Sequence, residues 1–269
     1  MKNVLILIQR EFLIFFKNIA SNLFFYFLFP ILTYLFIVLL FSNLFDLTKD
    51  LIKFSDQGLL RTDYPDMKYL YYATPAILFV CTSMIAFISP IMIIMRDKEY
   101  SSYMYTTKLN QLNYFSSIII SVTLFSYIEF IIALIISTQL SNIVFVSWMQ
   151  IFYFFIIIFP FILFFLTLGL LISNFIKTYE GFLITSIFLF LLLSFGSFTF
   201  VPIDYFSEKL NYVLITKSYN LIFHLYDMFI SIFENKSLGI QTFIISIFLS
   251  IVFYFSHIII NSKKNKENR

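Results

Sequence analysis

Six stretches of this chain each contain twenty or more consecutive residues without a charged side chain. A transmembrane helix needs about twenty apolar residues to cross roughly 30 Å of hydrocarbon. Because no water is available there, the backbone must satisfy its own hydrogen bonds, and stretches this long favour helices over barrel strands. With 60% hydrophobic residues, most of the sequence is predicted to fold in a lipid bilayer.

Six membrane-spanning helices are predicted from these stretches, within a single transmembrane domain that covers residues 1–269. Their ranges are 22–41, 73–95, 114–136, 146–172, 181–201 and 240–260. The first has too long an apolar core, and begins too late, for a cleaved signal peptide. The sequence therefore predicts an all-α integral membrane protein.

The distribution of basic residues predicts the orientation. With six spans, the two termini and two internal loops share one side, which carries eleven of the eighteen lysines and arginines. The opposite side carries the other seven. By the positive-inside rule, both termini are expected in the cytoplasm. The protein is expected in the cell (inner) membrane. The basic excess thus reports topology, and no nucleic-acid partner is expected.

The segment before the first span is predicted to be an amphipathic interfacial helix, over residues 1–20. Between Lys2 and Lys17, at 100° per residue, one sector holds the polar side chains of Lys2, Asn3, Gln9, Arg10 and Lys17. Glu11 is the exception among the remaining, apolar positions of that stretch. Such a helix lies in the headgroup plane and faces water and anionic lipid with its basic side. The alternative is an ordinary positively charged lead-in to a first span.

A cytoplasmic loop is predicted over residues 96–113. Its first four residues are all charged, and a short helix would place Tyr100, Tyr103 and Met104 on one face. An exposed aromatic face is a plausible docking surface for a soluble partner. The alternative is a solvated connector whose tyrosines lie at the membrane interface.

The sequence offers no candidate catalytic site, metal site or cofactor site. It lacks a phosphate-binding GxxxxGK[ST] loop, a HExxH pair and a nucleophile elbow. The two histidines, His224 and His257, are predicted on different sides of the membrane. Cys81 is the only cysteine, so no disulfide within the chain is expected. An enzyme acting alone is therefore disfavoured.

Five segments in a particular order carry a family resemblance. They are Arg10, Glu11 and Phe12 leading to Pro30; Thr74, Pro75 and Ala76; Arg96, Asp97, Lys98 and Glu99 followed by Thr106 and Thr107; Leu168, Gly169, Leu170 and Leu171; and Phe200, Val201, Pro202 and Ile203. This arrangement resembles the ABC-2 family of transport permeases, the membrane subunits of ATP-driven exporters.

The resemblance implies two copies of this chain working with two copies of a separate P-loop ATPase. The cargo would be a hydrophobic or amphipathic compound: a drug-like molecule, a lipid or a lipid-linked glycan. Coupling to the ATPase would fall to Arg10, Glu11, Arg96, Asp97, Lys98, Glu99, Tyr100 and Tyr103. The outer segment, 202–238, would form short helices that re-enter the membrane, and its apolar blocks are indeed too short to span it.

Glu129 is the one charged residue inside a predicted span. A charge at mid-bilayer costs on the order of 3 kcal/mol on insertion scales, so this side chain should face protein or water, or be protonated. It either lines the transport pathway or the dimer seam, or it is a neutral carboxyl that hydrogen-bonds a neighbouring helix.

Two other functions are weighed against an exporter subunit. A lipid-modifying membrane enzyme would need clustered acids, histidines or metal ligands at one interface, and the spans supply none. A structural or assembly protein of the membrane would have no stable ATPase partner. A secondary carrier is disfavoured because its broken helices are usually rich in glycine, and the chain has five glycines.

Overall fold

The computed structural model of the protein describes residues 2–18, 28–36, 60–62, 68–99, 111–141, 143–145, 148–200, 211–233 and 240–267. Within these ranges the chain forms nine α-helices: α1 (Lys2–Lys17), α2 (28–36), α3 (Lys68–Glu99), α4 (Gln111–Ser141), α5 (Trp148–Ser173), α6 (Tyr179–Leu191), α7 (Asn211–Tyr219), α8 (Leu221–Phe233) and α9 (Ile240–Glu267). A short π-helix, Leu192–Gly196, continues α6. Two three-residue strands, β1 (Leu60–Thr62) and β2 (Ile143–Phe145), pair antiparallel with Arg61 opposite Val144. The predicted all-α membrane fold is confirmed.

Five of the described helices are long and apolar enough to cross a membrane. Their spans are Ala73–Asp97 in α3, Gln111–Gln139 in α4, Phe154–Ser173 in α5, Tyr179–Gly196 in α6 and the π-helix that follows it, and Ile240–Ser262 in α9. They overlap the second to sixth predicted spans. The first predicted span, 22–41, lies largely outside the described residues, and its described part, 28–36, is helical.

The side of the membrane on which α3 ends and α4 begins is called the basic side below. It is the side to which the sequence assigns the larger number of lysines and arginines. Since successive spans alternate in direction, α5 and α9 also end on this side, and α6 begins there.

Helix α3 forms the centre of the bundle. It packs against both α4 and α5, and 83% of its span is buried, compared with 17% for α9. The ring of Phe79 on α3 has four aromatic neighbours at centroid distances of 5.3 to 6.1 Å, and these are Phe161, Phe165, Tyr226 and Phe229. Such tilted and edge-to-face pairs add to the stabilisation from buried area. The phenylalanines of this region therefore pack the core.

Helices α3 and α5 come close together at Gly169. A β-carbon at this position would overlap the carbonyl oxygen of Phe87 and would lie 2.9 Å from the ring of Pro90. Small residues allow two membrane helices to approach through their backbones. Any larger residue at Gly169 would push α5 away from α3.

Helices α7 and α8 form the described part of the predicted outer segment, 202–238. Asn220 lies between them, and its Oδ1 accepts hydrogen bonds from the backbone N–H groups of Ile222 and Phe223, at 3.0 and 3.2 Å, which caps α8. Its Nδ2 donates to the carbonyl of Gly196, at 3.1 Å, beyond the end of α6. Helix α8 also packs against α3, α5 and α9. Re-entry of the segment into the membrane stays a prediction.

Candidate functional site

Two arginines and two carboxylates meet at the basic side, where α1 crosses the last turn of α3. Arg10 Nη2 donates to Glu11 Oε1 at 2.6 Å and to Asp97 Oδ2 at 2.7 Å. Arg96 Nη2 donates to Glu11 Oε1 at 2.8 Å, and Arg96 Nε donates to Asp97 Oδ1 at 3.0 Å. Each arginine thus bridges both carboxylates. We call this closed set of four residues the charge ring.

Packing of α1 against α4 places two members of the charge ring. The rings of Phe12 and Phe15 lie 5.0 and 4.8 Å from the ring of Phe125 on α4. On α1, Leu7 and Glu11 are four residues apart, so they share the face that this packing buries. The one acid of α1 therefore points into the protein, toward the end of α3.

The carboxylates of the charge ring are buried and the guanidinium groups are partly exposed. The side chains of Glu11 and Asp97 are 3% and 5% exposed, whereas those of Arg10 and Arg96 are 35% and 30% exposed. A buried carboxylate is tolerated when it is paired and hydrogen-bonded. The hydroxyl of Tyr114 adds a further bond, donating to Asp97 Oδ2 at 2.9 Å. Both acids are thus fully engaged inside the protein.

The electrostatics of the charge ring favour a structural role. Partial burial lowers the pKa of the Arg10 guanidinium, but the attraction of Asp97 and then of Glu11 outweighs it, so this pKa lies above its ordinary value. Arg10 therefore stays charged at physiological pH, and the formal charges of the two arginines and two acids sum to zero. The charge ring contains no serine, cysteine or histidine. It can hold α1 to α3 and transmit force between them.

The structure brings together four of the eight residues predicted to couple to an ATPase. Arg10, Glu11, Arg96 and Asp97 form the charge ring. Lys98 and Glu99 are the final two residues of α3, and α4 begins at Gln111. Tyr100 and Tyr103 lie outside the described residues. Contact of any of the eight with an ATPase stays a prediction.

Two contacts on the basic side were not anticipated from the sequence. The bond from Tyr114 to Asp97 has a signal in retrospect, because a helical hairpin brings the start of one span next to the end of the preceding one. The other contact joins Asn174, after α5, to His257 on α9, with 2.7 Å between Nδ2 and Nδ1. The ring of Phe115 lies 4.4 Å from that of His257. Nothing local in the sequence signals this pair.

Glu129 lies on α4 inside the bundle, and it is completely buried. Neither of its carboxylate oxygens has a hydrogen-bond partner among the described residues, and the same holds for the hydroxyls of Thr82 and Ser126. The thiol of Cys81 on α3 lies within electrostatic range of Glu129 and hydrogen-bonds the side chain of Thr33 on α2. A buried, polar region thus lies between α2, α3 and α4.

The position of Glu129 bears on its two predicted roles. The side chain points from α4 toward α3, within one protomer, and does not reach the protein surface. A role at the transport pathway and a role in helix packing both stay predictions. No group of three or more histidines, cysteines or acids in the described part of the chain is arranged to hold a metal ion.

The chain matches a known family of membrane proteins over most of its length. The profile of the family described as ABC-2 type transporter matches residues 2–234, a segment that contains both the charge ring and Glu129. No curated protein matches the chain. Members of this family are the membrane permease components of ABC transporters; they are not themselves catalytic, and they work with an ABC ATPase subunit. Because the match covers most of its length, this multi-pass membrane protein belongs to the ABC-2 type transporter family.

Proposed function

We propose that this chain is the permease subunit of an ATP-driven exporter. It moves a hydrophobic or amphipathic compound, such as a drug-like molecule, a lipid or a lipid-linked glycan, out of the cytoplasm. A separate P-loop ATPase hydrolyses the ATP. Membership of the family supports the permease role, and the charge ring is the single observation that carries the proposed coupling.

The basic side is proposed to be the cytoplasmic side of the cell membrane, with both termini there. The excess of lysine and arginine in the short loops supports this orientation. The ATPase would then meet the permease at the connection between α3 and α4, beside Lys98 and Glu99 and at the predicted docking residues Tyr100 and Tyr103.

Movement of the ATPase would pass into the membrane through α3. This helix packs against α4 and α5, so a displacement of its basic-side end is transmitted to the centre of the bundle. The charge ring makes α1 move together with that end, because Arg10 bonds Asp97 and Arg96 bonds Glu11. In this role Arg10, Glu11, Arg96 and Asp97 couple the ATPase to the spans from inside the permease.

The transporter is proposed to contain a second copy of this chain. Helices α6 and α9 have only 28% and 17% of their spans buried within one protomer. Their large exposed side chains, such as Ile184 at 69% and Phe188 at 64%, need lipid or another protein as a neighbour. A homodimer would cover part of this surface, and membrane lipid the rest.

The test is reconstitution of the chain with its ATPase in proteoliposomes. We expect no ATP hydrolysis by the purified chain, hydrolysis by the complex, and ATP-dependent movement of an amphipathic fluorescent compound. Arg96→Ala and Tyr103→Ala should each reduce the amount of compound transported per ATP hydrolysed. They should reduce the amount of chain inserted into the membrane by less. Lys177→Ala is the matched control for Arg96→Ala, because Lys177 is exposed on the same side and lies outside the charge ring.

Unchanged transport per ATP in Arg96→Ala and Tyr103→Ala would disprove the proposed coupling. A chain that assembles with no ATPase would favour the alternative, a structural or assembly protein of the membrane. Transport without nucleotide would contradict the ATP-driven mechanism itself.

A further inference from the structure

The charge ring leaves hydrogen-bond donors unused on its exposed edge. Arg10 and Arg96 each bond the buried carboxylates through Nε and Nη2. The Nη1 amino group of each arginine donates to no described residue. An arginine has five N–H donors in a planar fork, and two of them are on Nη1. Each arginine therefore keeps one amino group for a partner outside the described structure.

The two unused amino groups belong to adjacent guanidinium groups. Arg10 Nη2 and Arg96 Nη2 both bond the same oxygen, Glu11 Oε1, at 2.6 and 2.8 Å. The carboxylates themselves are buried. Although the charge ring is neutral as a whole, the part of it that is exposed is cationic, and it suits an anion with more than one oxygen.

The surroundings of this edge are apolar. On α1, Arg10 is flanked at i−4 and i+3 by Ile6 and Leu13, which are 53% and 70% exposed. On α3, Arg96 follows Met92 at i−4, which is 46% exposed. The exposed apolar side chains of an interfacial helix such as α1 lie at the boundary between headgroups and acyl chains. The two arginines therefore emerge where the hydrocarbon meets the headgroups.

We propose that Arg10 and Arg96 bind the phosphate of an anionic phospholipid headgroup in the leaflet on the basic side. The Nη1 groups donate to the phosphate oxygens, and the acyl chains lie against Ile6, Leu13 and Met92. Guanidinium groups recognise phosphate through paired N–H donors, which an ammonium group cannot reproduce. An acidic side chain of a soluble partner has the same charge, but it would not cover the apolar flanks.

The binding test uses the full-length chain in detergent and native mass spectrometry. It is titrated with dioctanoyl phosphatidylglycerol, with dioctanoyl phosphatidylcholine, and with inorganic phosphate alone. We expect the phosphatidylglycerol adduct to dominate. Arg10→Gln should weaken it about fivefold, the factor that corresponds to roughly 1 kcal/mol per basic residue at an anionic surface. Lys17→Gln is the matched control: it removes the same charge from an exposed position of the same helix.

Arg10→Lys is the second variant, for the case in which Arg10→Gln does not fold. It keeps a positive charge beside Glu11 and Asp97 and should therefore preserve the fold. It should still weaken the phosphatidylglycerol adduct, because it lacks the second amino group. Wild-type binding by Arg10→Lys, or equal losses in Arg10→Gln and Lys17→Gln, would overturn the site. Equal binding of inorganic phosphate and phosphatidylglycerol would also overturn the site. The same holds for an Arg10 variant that no longer assembles with the ATPase but still binds phosphatidylglycerol as the wild type does.

Discussion

Helices α3 and α4 enclose carboxylates at two levels of the same helix pair. At the basic side, Asp97 and its partner Glu11 accept hydrogen bonds from two arginines and a tyrosine. Inside the bundle, Glu129 is at least as deeply buried, and neither of its oxygens has a described partner. Carboxyl groups that are similarly buried thus differ in their partners: those of the charge ring are fully hydrogen-bonded, and that of Glu129 has no described hydrogen bond.

This difference separates a group that supports the fold from one that works against it. A buried carboxylate with charged partners is compensated, whereas a buried polar group without a partner lowers stability by about 1–3 kcal/mol. The charge ring is explained by its contribution to structure and coupling. Glu129 needs another reason, and departures from local stability rules are expected at functional sites.

The largest effect is expected for Glu11→Ala, which leaves two guanidinium groups facing each other across an empty position. We expect the free energy of unfolding to fall by about 3 kcal/mol. This is the lower end of the usual range for removing one partner of a buried ion pair, because the two arginines are partly exposed and can be hydrated by water. Unfolding in mixed detergent micelles measures this loss. Glu180→Ala, an exposed acid in the first turn of α6, should cost less than about 1 kcal/mol. Equal effects of the two substitutions would mean that the charge ring adds nothing to stability.

The second effect has the opposite sign. Glu129→Leu replaces a buried carboxyl that has no described partner with an apolar side chain of similar size. We therefore expect the free energy of unfolding, measured in mixed detergent micelles, to rise by about 2 kcal/mol. Glu129→Gln keeps a polar group there and should change stability little. If transport falls while stability rises, Glu129 serves the transport pathway. A loss of stability in Glu129→Leu would instead show that the carboxyl has a partner, as the helix-packing hypothesis requires.

The third prediction compares two tyrosine hydroxyls on α4. Tyr114→Phe removes a bond to the Asp97 carboxyl group, which also bonds two arginines, and should cost about 1.5–2 kcal/mol. Tyr127→Phe makes the same chemical change at a neutral acceptor, the carbonyl of Phe155 at 2.8 Å, and should cost about 1 kcal/mol or less. The two free energies of unfolding measure the difference. A larger loss in Tyr127→Phe would contradict the charge-assisted bond at Asp97.

The smallest effect is expected for Thr82→Val. The Thr82 hydroxyl is buried with no described partner, so its replacement by a methyl group should change stability by less than about 1 kcal/mol, and in the stabilising direction. Thr167→Val is the matched variant, because that hydroxyl bonds the carbonyls of Leu163 and Phe164, and its loss should be destabilising. A large loss of stability in Thr82→Val would reveal a partner of the Thr82 hydroxyl.

Much of the fold is predictable because the bilayer acts on local composition. The spans 73–95 and 240–260 can each be recognised separately. Each must form its own backbone hydrogen bonds within the bilayer, without help from other segments. Arg10 and Arg96 were also singled out individually, through the family resemblance and their position beside a span. That they share the same two acids was not predictable, because eighty-five positions separate Glu11 from Arg96.

Composition and motif order are enough to predict an all-α membrane protein of the ABC-2 kind, with charged residues at one set of helix ends and one acid within a span. Those features depend on the chain's interaction with lipid and on motif order. Which of these charged side chains have partners depends instead on how the helices pack. The docking of Phe12 and Phe15 on α4 turns Glu11 toward Arg96, while the packing of α4 on α3 encloses Glu129 with no described partner. Pairing depends on where helices cross, and no local pattern in the chain encodes that.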